Sequence, residues 1–312
     1  MSIELDQVEC FLAERCEAGR VERVGAGAWS TAFSFEHEGW RKVIRFGRYA
    51  EDFRKDERAA VLYASLLPVP RVLEIGEAFD GYAYAVSEWA EGGAIDRLPE
   101  PELREALPSL LNTLEALHTA PPPAEAGFGW WSSLGRAPHA SWRDALLGIV
   151  EDEESPRLAG WRTFLRRNAE GSRVFDRAAG RLADLAGACP EGVRHLIHSD
   201  LTAGNVLVVD GAVSAVLDWG NSLVGDFLYD VAWLLFWSPW HPGLDPERVL
   251  AEVRRRDDGT GADRVNLDER LLACQLHIAL DSMAYNAFCR DESNLLGTMR
   301  RLLPLLDSPR SA

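Results

Sequence analysis

The chain has 312 residues, nearly half of them apolar, a formal charge of −16 and five cysteines. That length allows one large or two modest domains around a real core, and the acidic balance argues against nucleic acid, whose phosphates it would repel, while suiting a cationic small molecule. No apolar run reaches the roughly eighteen residues of a membrane span, no secretory signal pattern opens the chain, and Cys10, Cys16, Cys189, Cys274 and Cys289 are scattered without a C-x-x-C pair. The expectation is a reduced, cytoplasmic, monomeric protein with no membrane or nucleic-acid partner.

The first ninety residues read as strand-rich. Residues 21–24 lead into the small-residue loop Gly25-Ala26-Gly27-Ala28-Trp29-Ser30-Thr31, whose backbone could approach a phosphate; residues 32–35 and 41–46 then flank a Glu38-Gly39 hairpin turn. Lys42 and Arg45 are placed on opposite faces of one strand by the two-residue alternation of side chains. Residues 50–67 turn helical, with Phe53, Ala60, Tyr63, Ala64 and Leu67 on one stripe. Asp56 falls on that apolar stripe and needs a partner, for which Arg45 is available, while Lys55 and Glu57 fall to its sides, Glu57 being the alternative acid for that pair. Pro68-Val69-Pro70 ends the helix, because proline lacks the amide hydrogen and restricts the residue before it.

Strand-like runs at 72–79 and 82–86 follow, and Ser87-Glu88-Trp89-Ala90-Glu91-Gly92-Gly93 breaks the pattern as a hinge. Beyond it the periodicity is helical at 100–118, 142–151, 157–168, 174–188, 226–237, 246–255, 267–289 and 294–306, with loops at 121–123 and 257–262. This predicts an α+β protein: a small N-terminal lobe, residues 1–90, with a hinge at about 87–93, and a larger helical lobe, residues 91–312.

Between the two groups of helices lies His198-Ser199-Asp200-Leu201-Thr202-Ala203-Gly204-Asn205, and thirteen residues further on Asp218-Trp219-Gly220. Strand-like residues 206–209 and 213–217, joined by Asp210-Gly211, predict a hairpin with Asn205 entering it and Asp218 leaving it. Phosphoryl transfer needs one carboxylate to orient the attacking hydroxyl and hard oxygen ligands for Mg²⁺. Asp200 suits the first task, Asn205 and Asp218 the second, in the D-x-x-x-x-N then D order of kinases, though without Arg before Asp200 or Phe after Asp218.

The chain resembles the aminoglycoside phosphotransferase family of the kinase-like fold, from about Gly25 to about Arg301. The resemblance is carried by Leu67-Pro68-Val69-Pro70, Val193-Arg194-His195-Leu196-Ile197-His198, Asn205-Val206-Leu207, Ala215-Val216-Leu217-Asp218-Trp219 and Gly225-Asp226. Trp142-Arg143-Asp144 and Phe236-Trp237 with Pro239-Trp240 point to its hygromycin-type branch. It implies a protein-kinase-like bilobal fold, with a small antiparallel-sheet lobe that binds the nucleotide and a mainly helical lobe that binds the acceptor.

For the site, the resemblance implies Asp200 as the catalytic aspartate and Asn205 and Asp218 as Mg²⁺ ligands. Arg45 would touch the phosphates of ATP or GTP with Asp56 its helix partner, and Ser30 and Thr31 would lie over them. The hinge backbone at Glu88, Trp89 and Ala90 would hydrogen-bond the purine between Val43 and Leu207, and Trp237, Trp240 and Asp281 would meet a cationic antibiotic. Departures from the family pattern are Ser199 where Gly or Ala is usual, Gly204 where the branch has a polar residue, and Asn221 in place of an acid. A macrolide or amino-alcohol kinase would share the catalytic residues, whereas a non-catalytic nucleotide-binding protein would be expected to lack one of them. Asp226 and Asp230 read as structural, Asp226 capping its helix and Asp230 tying it to the catalytic loop, and His198 as a loop-holding residue.

Overall fold

A computed structural model describes residues 3–152, 157–190, 192–202, 204–256 and 265–307. In chain order the elements are α1 (Leu5–Ala13), β1 (Glu22–Ala26), β2 (Ser30–His37), β3 (Trp40–Gly47), α2 (Ala50–Tyr63), β4 (Val72–Glu77), β5 (Ala83–Glu88), β6 (Gly93–Ala94), α3 (Glu100–Thr119), β7 (Gly129–Trp130) and α4 (Trp142–Leu147). They continue with α5 (Trp161–Leu165), α6 (Ala169–Leu185), β8 (His195–Ile197), β9 (Val206–Val209), β10 (Ala212–Val216), β11 (Leu223–Gly225), α7 (Leu228–Trp237), α8 (Pro246–Arg256), α9 (Leu267–Cys289) and α10 (Glu292–Leu306). The described residues fall into two compact units, one within 1–98, 132–135 and 202–221, the other within 99–131, 136–201 and 222–312.

The first unit is built on an antiparallel sheet in the order β1-β2-β3-β5-β4. Glu38 and Gly39, both at positive φ, make the two-residue turn that sets His37 opposite Trp40 and Ala32 opposite Arg45. Alternation then sorts the strands by face. Phe33, Phe35, Ile44, Phe46, Tyr84 and Val86 form one buried cluster with Val8, Phe11 and Leu12 of α1. The sequence reading had no helix here; Val8, Phe11 and Leu12 have the i, i+3, i+4 spacing of one, and Glu4 and Gln7 close a capping box at its start.

The opposite face carries Val43, Arg45, Ala85 and Ser87, as their cross-strand pairing dictates, and here Phe53 of α2 packs on Ala83 and Ala85. Helix α2 stops at Tyr63 rather than at Leu67, and Leu66 and Leu67 donate their amides to the Tyr63 carbonyl as the chain turns into Pro68. A second sheet in this unit, β10-β9-β6, contains the expected hairpin, with Asp210 and Gly211 at positive φ in its turn. Its open end is tied by the Leu217 amide donating to the Asn205 carbonyl at 2.7 Å.

The second unit is mainly helical, with the small sheet β7-β11-β8. Helix α9 is buried on all sides, from Leu271 and Cys274 to Met283 and Ala287, and α5, α6, α7 and α10 pack around it. Two helix expectations change. Residues 157–160 form a turn, and Gly160 at φ +83° starts the five-residue α5 in place of a helix over 157–168. Helix α6 begins earlier than expected, at Ala169, because the Asn168 side chain accepts the Gly171 amide at 2.8 Å. The loop expected at 257–262 lies outside the described residues.

Candidate active site

Asp200, Trp237, Trp240 and Asp281 belong to the second unit; Ser30, Thr31, Val43, Arg45, Asp56, Glu88, Trp89, Ala90, Asn205, Leu207 and Asp218 belong to the first. The loop from Asp200 to Asn205 therefore carries the chain from one unit to the other, between Leu201 and Thr202.

In the first unit, Arg45 on β3 forms an ion pair with Asp56 on α2 through one carboxylate oxygen, and the other accepts the Trp219 amide at 2.7 Å. Burial works to lower the Arg45 guanidinium, but Asp56 and Asp218 outweigh it and raise it, so the cation is permanent. Ser30, Arg45 and Asp218 line one small pocket with Trp29, Gly47, Tyr49, Asp52 and Phe53. Thr31 is not among its lining residues.

Asn205 precedes β9 and Asp218 follows β10, so the hairpin sets both at its open end. Asp218 sits at φ +60°, and none of the described residues hydrogen-bonds or ion-pairs with its carboxylate. Carboxylate and amide oxygens are the hard donors that Mg²⁺ takes.

At the hinge, Glu88 donates its amide to the Arg71 carbonyl at 3.0 Å, while the Ala90 amide has no hydrogen-bond partner among the described residues. Arg41 stacks 3.7 Å over the Trp89 ring, whose buried indole N–H is also without a partner. Leu207 on β9 lies opposite Ala94, and Val43 opposite Ser87, both half-buried.

In the second unit, Asp230 of α7 accepts the His198 amide at 2.9 Å and the Ser199 amide at 2.7 Å, one on each oxygen. Burial pushes its carboxyl up to about 7 against the pull of those two donors. His198 is fully buried and its Nδ1 accepts the Asp200 amide at 3.3 Å. Asp226, expected as a helix cap, does accept the Leu228 amide at 3.1 Å, but its main partner is Arg270, whose guanidinium grips both of its oxygens at 2.7 and 2.8 Å. Sequence reasoning missed Arg270 and also Lys55, which is wholly buried on α2.

Ser199 is held at φ +65°, the left-handed region, which glycine adopts without steric cost. A side chain in that region costs about 1–2 kcal/mol, and glycine returns about 0.5–1 kcal/mol of that as chain entropy. Ser199→Gly is therefore expected to stabilise the fold by about 0.5 kcal/mol, read as a higher urea midpoint at unchanged m.

Trp237 ends α7 and Trp240 follows in a 3₁₀ turn, with ring centroids 5.3 Å apart; Trp240 is 49 % exposed, and the buried indole N–H of Trp237 has no partner among the described residues. Arg301 of α10 donates to the Leu235 and Phe236 carbonyls and so closes the end of α7 that bears them. Asp281 is half-buried on α9, one turn beyond His277, whose ring nitrogen meets the Tyr229 hydroxyl at 2.9 Å. Burial raises Asp281 to about 6 and lowers His277 to about 4.

A strand-to-helix cation and carboxylate, a hairpin bearing Asn and Asp, and an aspartate in a braced loop define a protein of the phosphoryl-transfer class. The chain belongs to the phosphotransferase enzyme family (APH), whose model matches residues 20–267. It is 33% identical to the hygromycin-B 4-O-kinase of Escherichia coli over 278 residues, 88% of this chain and 77% of that protein. Among solved structures, a thermostable variant of aminoglycoside phosphotransferase APH(4)-Ia in ternary complex with AMP-PNP and hygromycin B superposes with a TM-score of 0.85 at 30% identity, covering 98% of this chain and 100% of the other. The structure of APH(4)-Ia itself gives 0.84 at 30% identity, over 97% and 98%. The fold is the kinase-like one, with an antiparallel sheet in the N-terminal region and a helical C-terminal part.

Proposed function

We propose that the protein transfers the γ-phosphate of ATP or GTP to a hydroxyl of a cationic aminocyclitol antibiotic of the hygromycin B type, and so confers resistance. The observation that carries this reading is the near full-length likeness to APH(4)-Ia holding AMP-PNP and hygromycin B, with Asp200, Asn205 and Asp218 all present in this chain.

Asp200 orients the acceptor hydroxyl and takes its proton as the oxygen attacks phosphorus. His198 and Asp230 keep its loop in place. Asn205 and Asp218 hold Mg²⁺, which when bound spreads the charge of the transferring phosphoryl group. Arg45, oriented by Asp56, neutralises the phosphates, with Ser30 and Thr31 over them. The purine lies between Val43 and Leu207 and hydrogen-bonds the hinge at Glu88, Trp89 and Ala90; the unpartnered Ala90 amide supports this. The N-terminal lobe thus serves the nucleotide and the helical lobe the acceptor.

The acceptor rests on Trp237 and Trp240, whose faces suit a sugar ring or its ammonium groups. Asp281, half-buried and raised to about 6 by burial, is held in its charged form when an ammonium group settles against it. We place the enzyme in the cytoplasm, where its five free cysteines suit a reducing compartment.

The test is a panel of purified protein, Mg²⁺, ATP or GTP, and hygromycin B beside other aminoglycosides, macrolides and amino alcohols, followed by nucleoside diphosphate release and product mass. The gain of one phosphoryl group on hygromycin B is the expected result; turnover of another alcohol with none on any aminocyclitol sinks the reading. Trp240→Ala is expected to raise KM for hygromycin B about tenfold, the worth of one ring contact, with the nucleotide KM unchanged.

A further inference from the structure

Lys55 is fully buried, a state that lysine almost never adopts without a partner that repays it. Its ammonium donates to the Gly220 carbonyl at 2.9 Å. Asp56, the next residue of α2, accepts the Trp219 amide at 2.7 Å. Two consecutive side chains of one helix therefore grip the two residues that follow Asp218. Gly220 makes the close approach possible: a Cβ there would lie 3.0 Å from the Asp52 carboxyl carbon.

Asp218 needs such a grip. It stands at φ +60°, in the left-handed region, and a conformation of that kind persists in a non-glycine residue only where its surroundings over-determine it. No hydrogen bond or ion pair from the described residues holds its carboxylate, so apart from the field of the nearby Arg45 its direction is set by the backbone. A neutral side chain of similar length would fill the Lys55 site equally well. Packing does not explain a charge there, whereas a strong, charge-assisted donor to the Gly220 carbonyl does.

We propose that Lys55 is a positioning residue for the metal-binding loop, fixing the Gly220 carbonyl so that Asp218 is aimed for Mg²⁺. This rests on the reading of Asp218 as a metal ligand. The probe is Mn²⁺ in place of Mg²⁺, titrated into enzyme saturated with a non-hydrolysable ATP analogue and followed by electron paramagnetic resonance of the free ion.

Lys55→Met is expected to weaken Mn²⁺ binding about tenfold, as loss of a ligand-orienting contact does, while metal-free binding of the analogue stays as in wild type. Lys55→Gln keeps an N–H donor for the carbonyl and is expected to recover most of the loss. Asp218→Asn serves as the control for the underlying reading. If it leaves Mn²⁺ binding intact, the metal role of Asp218 fails; if it weakens Mn²⁺ binding while Lys55→Met binds as wild type does, the role of Lys55 alone fails. Should both Lys55 variants fail to fold, Lys55 is a folding residue and the proposal is overturned.

Discussion

Asp200→Asn is expected to lower kcat about a thousandfold while leaving nucleotide affinity unchanged. The substitution keeps the size of the side chain and the Asp200 amide bond to His198, and Asp230 still holds the His198 and Ser199 amides, so the loop retains its shape. What disappears is the carboxylate proposed to accept the hydroxyl proton. The nucleotide residues Arg45, Asp56 and the hinge lie in the other compact unit and do not depend on this side chain. Steady-state diphosphate release at saturating acceptor, paired with nucleotide titration, separates the two effects. A variant within tenfold of wild type would remove Asp200 from the chemistry.

Arg270→Met is expected to cost about 3–5 kcal/mol of stability, the usual result of stripping one partner from a fully buried pair. Arg270 is 1% exposed and Asp226 not at all, and both oxygens of Asp226 are held by the guanidinium. Methionine fills the stem and leaves the carboxylate uncompensated. The companion variant Arg270→Met with Asp226→Leu removes both charges and is expected to recover most of the loss, short of about 1 kcal/mol for the Leu228 amide that Asp226 also accepts. Thermal unfolding followed by circular dichroism reads both; equal melting points for the two variants would show that the buried charge is not the source of the cost.

These two residues also mark what the sequence discloses. The hairpin from Asn205 to Asp218 was legible because Asp210-Gly211 sits between two short β-branched runs, all within fourteen positions. The pairing of Arg45 with Asp56 was legible because an acid on the apolar stripe of a helix demands a cation, and the preceding strand offers one. Arg270 is separated from Asp226 by 44 positions and stands on a helix buried all round, so no periodicity singles it out. Lys55 was set aside because a helical wheel assigns its direction from one face only, whereas α2 packs the sheet with one side and the Trp219–Asn221 turn with another. Helix α1 escaped because its nine residues offer a stripe of only Val8, Phe11 and Leu12, and the phenylalanine cluster that captures it comes from strands later in the chain.

Ser199 and Asp218 share a left-handed backbone, one just before the proposed catalytic aspartate and the other at the proposed metal ligand. Both positions therefore carry an inherited restriction on hand as well as on chemistry. At 199 the left-handed backbone favours residues that adopt it at low cost, glycine first and then asparagine, whatever their side chains would contribute. The identity of residue 199 is thus accounted for by the hand of the backbone, with no need to invoke a contact to the acceptor.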